Sequence, residues 1–312
     1  MTQSFPFPVD SRLTPVVMAF KNRRMIADEA LPRFTVGRMN YSYTKYDLSE
    51  GFSVPETAVG RRGRPNKVTF TASEEKGATT DNALDDDVPQ VDVENAPAGA
   101  HAPVSRAAER LANLIALRRE IRVAAKVFNP DSYPTGNKDT LTGTDQFSDG
   151  DSDPIAVLTD AMDKLVYRPN VMVIGRRAFT VLARHPAVVK AINRSSGDSG
   201  YARRQDIADL FELDKLLVGE AFVNIAKKGQ TPELERAWGP HIALYYLDDL
   251  GGPSENPSFG FTAQFGDRIA GQWHDNNIGM RGGTVVRVGE SVEEVIAAPT
   301  LGYFIENAIA DA

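Results

Sequence analysis

Apolar and polar positions along this chain change period several times, and each change marks an element. From Pro103 to Phe128 (PVSRAAERLANLIALRREIRVAAKVF) Leu114, Leu117, Ile121, Ala124 and Phe128 recur at spacings of three and four, which places them on one face of an α-helix. Ala, Leu, Arg and Glu lose little side-chain freedom in a helix, Pro103 suits a first turn, and Asn129-Pro130 stops the run. Such a helix is about 35–40 Å long, enough to cross a domain. Arg118, Arg119, Arg122 and Lys126 fall beside the apolar stripe in the C-terminal half, where cations suit the helix dipole. Upstream, MNYSYTKY (39–46) alternates with a period of two and reads as a strand, with KVTFTAS (67–73) as its antiparallel return. Between them VGRRGRPN (59–66) is a flexible basic tip. The expected product is a long two-stranded arm, which needs another surface to be ordered because an isolated ribbon is marginal in water.

Residues 1 to about 35 contain Pro6, Pro8, Pro15 and Pro32, which forbid a long helix or a central strand. They read as an extended arm with at most a short turn of helix, lying on this subunit or on a neighbour. The segment from Thr80 to Asn95 holds Asp81, Asp85, Asp86, Asp87, Asp92 and Glu94. A basic tip and an acidic stretch on one chain suit contact between copies; two solvated loops are the equal alternative. Past the long helix, Asp149, Asp151 and Asp153 alternate like the start of a calcium loop, but Pro154 stands where that loop needs Gly and no Glu closes it. Ser152 or Asp153 is expected instead to cap a helix from Ile155 to Leu165, with Pro154 in its first turn. The middle then alternates: a strand at 170–175, helices at 176–185, 186–193 and 204–212, and strands at 216–219, 221–225, 241–247, 259–265 and 284–288, with one or two more near the C-terminus. This is a mixed α+β pattern.

The composition narrows the chemistry. With 312 residues, 42% apolar and 25% charged, the chain can bury a sizeable core. No run of 18 apolar residues and no basic-then-apolar leader directs it to or through a membrane. Without cysteine there is no disulfide frame, thiol nucleophile or thiolate metal site. A net charge of −7 argues against a surface that grips nucleic acid all over. His101, His185, His241 and His274 form no metal-ligand spacing, and no serine lies in a nucleophile motif. Gly279 to Gly283 reads as a turn, Asp248-Asp249 and Glu293-Glu294 are adjacent and diverge, and Trp238 and Trp273 read as packing anchors. No enzyme, metal or cofactor is expected.

The order of elements, together with the words AFKNRRMIADEALPRFTVG, TDNALDDDVP, LRREIRVAAKVFNPDSY, NKDTLTGTDQFSDGDSDPI, RPNVMVIGRRAFTVLARHPAV, DIADLFELDKLLVGEA and RAWGPHIALYY, resembles the major capsid proteins of tailed bacteriophages, which share the Hong Kong 97-type fold. The likeness runs from about residue 15 to about 307. It implies an N-terminal arm (1–38), an extended two-stranded loop (39–90), a peripheral domain (91–154) with a spine helix (103–128), an axial domain (155–290) and a C-terminal return to the peripheral domain (291–312). By the same resemblance, arm and ribbon have neighbouring subunits as partners, and copies assemble as pentamers and hexamers into an icosahedral virion shell around double-stranded DNA in the bacterial host cytoplasm.

The expected inter-subunit contacts are Arg61, Arg62 and Arg64 of the tip with Asp85, Asp86 and Asp87 of a neighbour, and the expected DNA-facing residues are Arg23 and Arg24. Because the arm starts close to Met1, a separate scaffolding protein is implied, with a portal protein and a possible decoration protein. An encapsulin-type nanocompartment on the same fold is the alternative, and a soluble enzyme without a recognisable motif the third.

Overall fold

The computed structural model of the chain describes residues 7–19, 22, 24–45, 54, 56–67, 73–97, 102–193, 200–227, 229–248 and 257–310. Among them the strands are β1 (Arg33–Val36), β2 (Asn40–Lys45), β3 (Ser73–Ala78), β4 (Thr80–Pro89), β5 (Lys138–Thr140), β6 (Val171–Gly175), β7 (Lys215–Gly219), β8 (Phe222–Asn224), β9 (Leu234–Arg236), β10 (Ile242–Tyr245), β11 (Gly260–Asp275), β12 (Gly283–Ile296) and β13 (Gly302–Glu306). They form a four-stranded sheet ordered β1-β11-β12-β4, a five-stranded sheet ordered β5-β13-β10-β6-β7, and the two-stranded pairs β2-β3 and β8-β9.

The five-stranded sheet is covered on both faces, and its sequence says why. Successive side chains of a strand point to opposite faces. Met172 and Ile174, Leu216 and Val218, Ile242 and Leu244, and Tyr303 and Ile305 all enter one core, under helices Pro154–Asp163, Arg176–Leu182, Pro186–Asn193 and Arg204–Leu210. Their alternates Val171, Val173, Leu217, Ala243, Tyr245 and Phe304 enter a second core shared with Val123 and Val127 of the long helix and with Ile26 and Leu31. Near-continuous apolar runs are what a sheet buried on both faces requires. Two glycines admit close approaches: a Cβ on Gly175 would stand 1.9 Å from the Gly239 carbonyl oxygen, and one on Gly219 would stand 2.2 Å from Trp238 Cγ.

The spine helix spans Pro103–Val127. Its buried face includes Ala108, Leu111, Ala112, Ile115, Arg119, Glu120, Val123 and Val127; of the stripe read from the sequence Ala124 is buried and Phe128 packs on the same core, while Leu114, Leu117 and Ile121 join no core. Leu111 is 5% exposed and Leu114 51%. The pattern misled because two charged residues, Arg119 and Glu120, occupy core positions, leaving the outward leucines and isoleucine as the cleaner apolar stripe. The N-terminal half of the helix packs Ala108, Leu111 and Ile115 on Val286 and Val288 of β12, together with Leu13 and Val17.

Four further expectations are narrowed or corrected. The return strand of the ribbon is Ser73–Ala78, with Tyr41 opposite Gly77 and Tyr43 opposite Glu75; most of the segment expected to form it, 68–72, lies outside the described residues. A glycine is needed opposite Tyr41, because a Cβ on Gly77 would lie 2.5 Å from the Tyr41 ring. The acidic stretch is an edge strand rather than a loop: β4 pairs antiparallel with β12 from Gly283↔Pro89 to Val292↔Thr80. Acidic residues form strands poorly on their own, but Val88 is buried and β12 supplies the ladder. Charges along an edge strand also discourage unwanted pairing with other chains.

The described part of the arm is seated on its own chain. Leu13, Val17, Ile26, Leu31 and Val36 are buried, the helix Leu13–Ala19 packs on β11 and the spine helix, and β1 runs parallel to β11. Finally, the expected grouping of 155–290 with a C-terminal return to the other body does not match the sheets. Strands β11 and β12 belong to the four-stranded sheet on the spine helix, and β13 lies between β5 and β10 in the five-stranded one. Bulky Tyr303, Phe304 and Ile305 fill both cores there.

Candidate assembly surfaces

A buried charge cluster clamps the arm to the spine helix and the four-stranded sheet. Glu120, fully buried, accepts hydrogen bonds from Ile26 N (3.0 Å), Ala27 N (2.8 Å) and Trp238 Nε1 (2.6 Å). The first two are backbone donors at the start of the short helix Ala27–Ala30, where a carboxylate is favoured. Burial nonetheless pushes the Glu120 carboxyl up, and the donors and Arg119 oppose it only in part. Next to it, the Arg119 guanidinium is bonded to Asp28, to the Leu31 carbonyl oxygen (3.0 Å) and to Thr262 Oγ1 (2.9 Å). Burial, with Arg33 nearby, pulls Arg119 down to about 10.

Around this pair Arg33 reaches Asp28 (2.6 Å) and Glu290 (2.9 Å), Arg268 reaches Glu290 (2.8 Å), and Arg122 reaches Glu294 (2.9 Å). Burial would raise the Asp28 and Glu290 carboxyls, but the arginines outweigh it and hold both below their ordinary range. Arg33 Nη2, Arg119 Nε and Glu290 Oε1 are buried without a hydrogen-bond partner. The sequence reading missed this cluster. Its signal was present in two places: glutamates inside the apolar strand VVRVGESVEEVI, and the Arg-Glu pair in mid-helix.

The sequence-predicted contact residues fall elsewhere. Residues 56–67, with Arg61, Arg62 and Arg64, are all exposed, and the bonds seen there stay within the loop: Gly63 N to the Gly60 oxygen (2.8 Å), Asn66 Nδ2 to the Glu56 oxygen (2.9 Å) and Ala58 N to Glu56 Oε1 (2.9 Å). The ribbon base is anchored, with Tyr41 donating to Glu293 (2.8 Å), Tyr43 to Glu75 (2.8 Å), and Tyr43 packed edge-on against Phe261. Burial, with Glu293, pushes the Tyr41 hydroxyl far up.

On β4, Asp85 and Asp87 are exposed and Asp86 half-buried. Asp85 is held within the chain by Arg287 (2.5 Å), so of the three acids it already has a cation of its own. Arg24 is exposed on the arm, and Arg23 lies outside the described residues. The structure therefore does not bring the tip and the acidic strand together by any described bond. The helix Pro154–Asp163 starts as expected, with Asp153 accepting from Ile155 N (3.1 Å) and Ala156 N (3.0 Å). Among the described residues no cluster of His, Asp and Glu could hold a metal ion, and no helix is long and apolar enough to cross a membrane.

A spine helix on a four-stranded sheet, an arm clamped across both, a second body with a doubly covered sheet and a ribbon with a self-contained tip define a shell-forming α+β protein of the Hong Kong 97 type. The comparisons agree. A family model described as phage major capsid protein E matches residues 133–222. A major capsid protein of Pseudomonas phage JBD67 is 52% identical over 305 residues, 98% of each chain. A phage-related protein of Bordetella bronchiseptica has the same fold with a TM-score of 0.78 at 22% identity, over 99% of this chain and 100% of that one. The capsid of cyanophage P-SCSP1u matches with a TM-score of 0.58 at 12% identity, over 98% and 92%. The chain belongs to the phage major capsid proteins, and it is a shell subunit of a phage head.

Proposed function

We propose that copies of this chain close as pentamers and hexamers into an icosahedral head around double-stranded DNA, with no catalytic step of their own. The observation that carries this reading is the ribbon tip: residues 56–67 are exposed throughout and their described bonds stay within the loop, as expected of a segment that finds its partner on another copy. In this reading the spine helix with the four-stranded sheet is the peripheral body, and the five-stranded sheet with its helices is the axial one. Arg61, Arg62 and Arg64 meet an acidic neighbour, with Asp86 and Asp87 the acids of β4 best placed, since Asp85 serves Arg287. Arg23 and Arg24 face DNA without reading its sequence. Assembly takes place in the host cytoplasm with a separate scaffolding protein and a portal, and a decoration protein is a further partner.

The test is electron microscopy of the chain expressed alone and with its neighbouring genes, followed by nuclease protection. Closed shells that protect DNA when packaging genes are present support the proposal. Shells filled with a protein cargo would point to a nanocompartment, and monodisperse small particles under every condition would refute assembly. Reversing Arg61, Arg62 and Arg64 to Glu tests the tip: unchanged assembly with unchanged salt dependence removes it from the interface.

A further inference from the structure

The spine helix carries a second face that the fold does not use. Opposite the buried residues, Leu114 is 51% exposed and Leu117 and Ile121 are part-exposed. None of the three joins a core cluster among the described residues. Arg106, Arg110 and Arg118 are exposed on the same side, four residues or a multiple of four apart. From Arg106 to Ile121 this stripe is about 22 Å long. Arg106 and Arg110 line a groove with Asp86, Asp87 and Asp92 at its N-terminal end. No acid partner is found for Arg110 or Arg118 among the described residues, while Arg119 and Arg122 on the opposite side are bound to Asp28 and Glu294.

We infer that this stripe is a docking face for an acidic amphipathic helix of a separate protein. An apolar row at spacings of three and four, flanked by arginines, is complementary to a helix with an apolar row flanked by carboxylates. Nucleic acid is a poorer fit, because phosphates engage the arginines and leave three apolar side chains wet. A second copy laid on the stripe about a two-fold axis would set Arg110 and Arg118 against their own kind, and a copy in any other orientation is an outcome of the test. The inference concerns the surface alone and does not depend on the symmetry or contents of the shell.

The test uses the full-length chain and three labelled probes followed by fluorescence anisotropy: a 21-residue peptide (about 32 Å as a helix) with leucine at its core heptad positions and glutamate on both flanks, its lysine-flanked twin, and a duplex of about 20 base pairs. The glutamate peptide is expected to bind at least about tenfold more tightly than the lysine twin. Leu114→Ser/Leu117→Ser and Arg110→Ser/Arg118→Ser are each expected to weaken it about tenfold or more without shifting the thermal melt. Equal binding of the two peptides, or full binding to the leucine double variant, overturns the inference. So does tighter binding of the duplex with loss only in the arginine variant, which makes the stripe a phosphate surface. A changed sedimentation of the leucine variant in the absence of peptide assigns the stripe to a second copy and equally overturns it.

Discussion

Glu290→Gln is the sharpest perturbation of the cluster that seats the arm. Four arginines (Arg33, Arg119, Arg122 and Arg268) face four carboxylates, Asp28, Glu290 and Glu294 in ion pairs and Glu120 beside Arg119, so the cluster is balanced. Glu290 takes one bond from Arg33 (2.9 Å) and one from Arg268 (2.8 Å) on the same oxygen, with its side chain at 0% exposure. An amide there leaves the cluster one positive charge in excess; it can still accept both bonds on its one oxygen, but without the charge, and its amino group takes the place of Oε1, which has no partner. Each charge-assisted bond is worth about 1.5–3 kcal/mol, and breaking a buried pair on one side costs about 3–5 kcal/mol.

Arg119→Met should behave differently although Arg119 is just as buried. It leaves three cations with four anions, but every acid keeps a partner: Asp28 keeps Arg33, Glu290 keeps Arg33 and Arg268, Glu294 keeps Arg122, Glu120 keeps Ile26 N, Ala27 N and Trp238 Nε1, and the Leu31 oxygen keeps the Thr262 hydroxyl (3.0 Å). Methionine of similar length fills the space, so the expected cost is below about 1.5 kcal/mol. Urea denaturation of the unassembled chain, read by circular dichroism with equal slopes required of both variants, measures the difference. If Arg119→Met costs as much as Glu290→Gln, the partners left to each charge are not what governs the cluster and the reasoning fails.

Three further outcomes follow from the same geometry. The thermal midpoint should pass through a maximum on the acid side of neutrality. Glu120, raised by burial, binds its proton more tightly when folded, so stability rises as pH falls towards the ordinary glutamate value of about 4.3; below that Asp28 and Glu290, held low by arginines, must be protonated and stability is lost. Glu120→Gln should flatten the rising limb, and a profile unchanged by that substitution counts against the assignment. Leu111→Ala should cost about 2–5 kcal/mol and Leu114→Ala under about 1 kcal/mol, and the reverse order would restore the face read from the sequence. Gly219→Ala should lower stability by about 1–3 kcal/mol, because its Cβ meets the buried Trp238 ring; a melt equal to that of the parent would show that the ring can move aside.

How far the sequence could be read depends on where each element finds its partners. The helices from Arg176 to Leu210 and the strands β6, β7 and β10 are legible because both faces of their sheet are buried, so apolar residues run nearly without interruption, whereas β9, largely exposed beside β8, is absent from the strands that the pattern predicts. The ends of β11 and β12 are not legible either. Their central stretches carry Gln264, Asp267, Arg268, Glu290 and Glu294; Arg268 and Glu290 are matched across the two strands, Glu294 by Arg119 and Arg122 of the spine helix, and a bulge near Gly266 (φ +69°) breaks the alternation. The acidic β4 was illegible for the same reason, being a strand only beside Arg287 and β12. The tip arginines and the acids were legible as charges, but nothing local fixes what they meet.

That distribution bears on what a shell subunit needs. The five-stranded body and the underside of the spine helix are closed by apolar packing, which has one dense solution and resists rearrangement. The arm is attached by both means: Leu13, Val17, Ile26 and Leu31 enter the apolar cores, and Glu120, Arg119, Arg33 and Glu290 add directional bonds whose alternatives are other polar groups rather than a void. A charged attachment of this kind adds little net stability over an apolar one, since burying the charges costs nearly what their pairing returns. Its effect is to define one seat for the arm. Rigid bodies joined through such a seat, with a ribbon whose base is packed by Tyr41 and Tyr43 and whose tip is not, give a subunit that can change neighbours without unfolding.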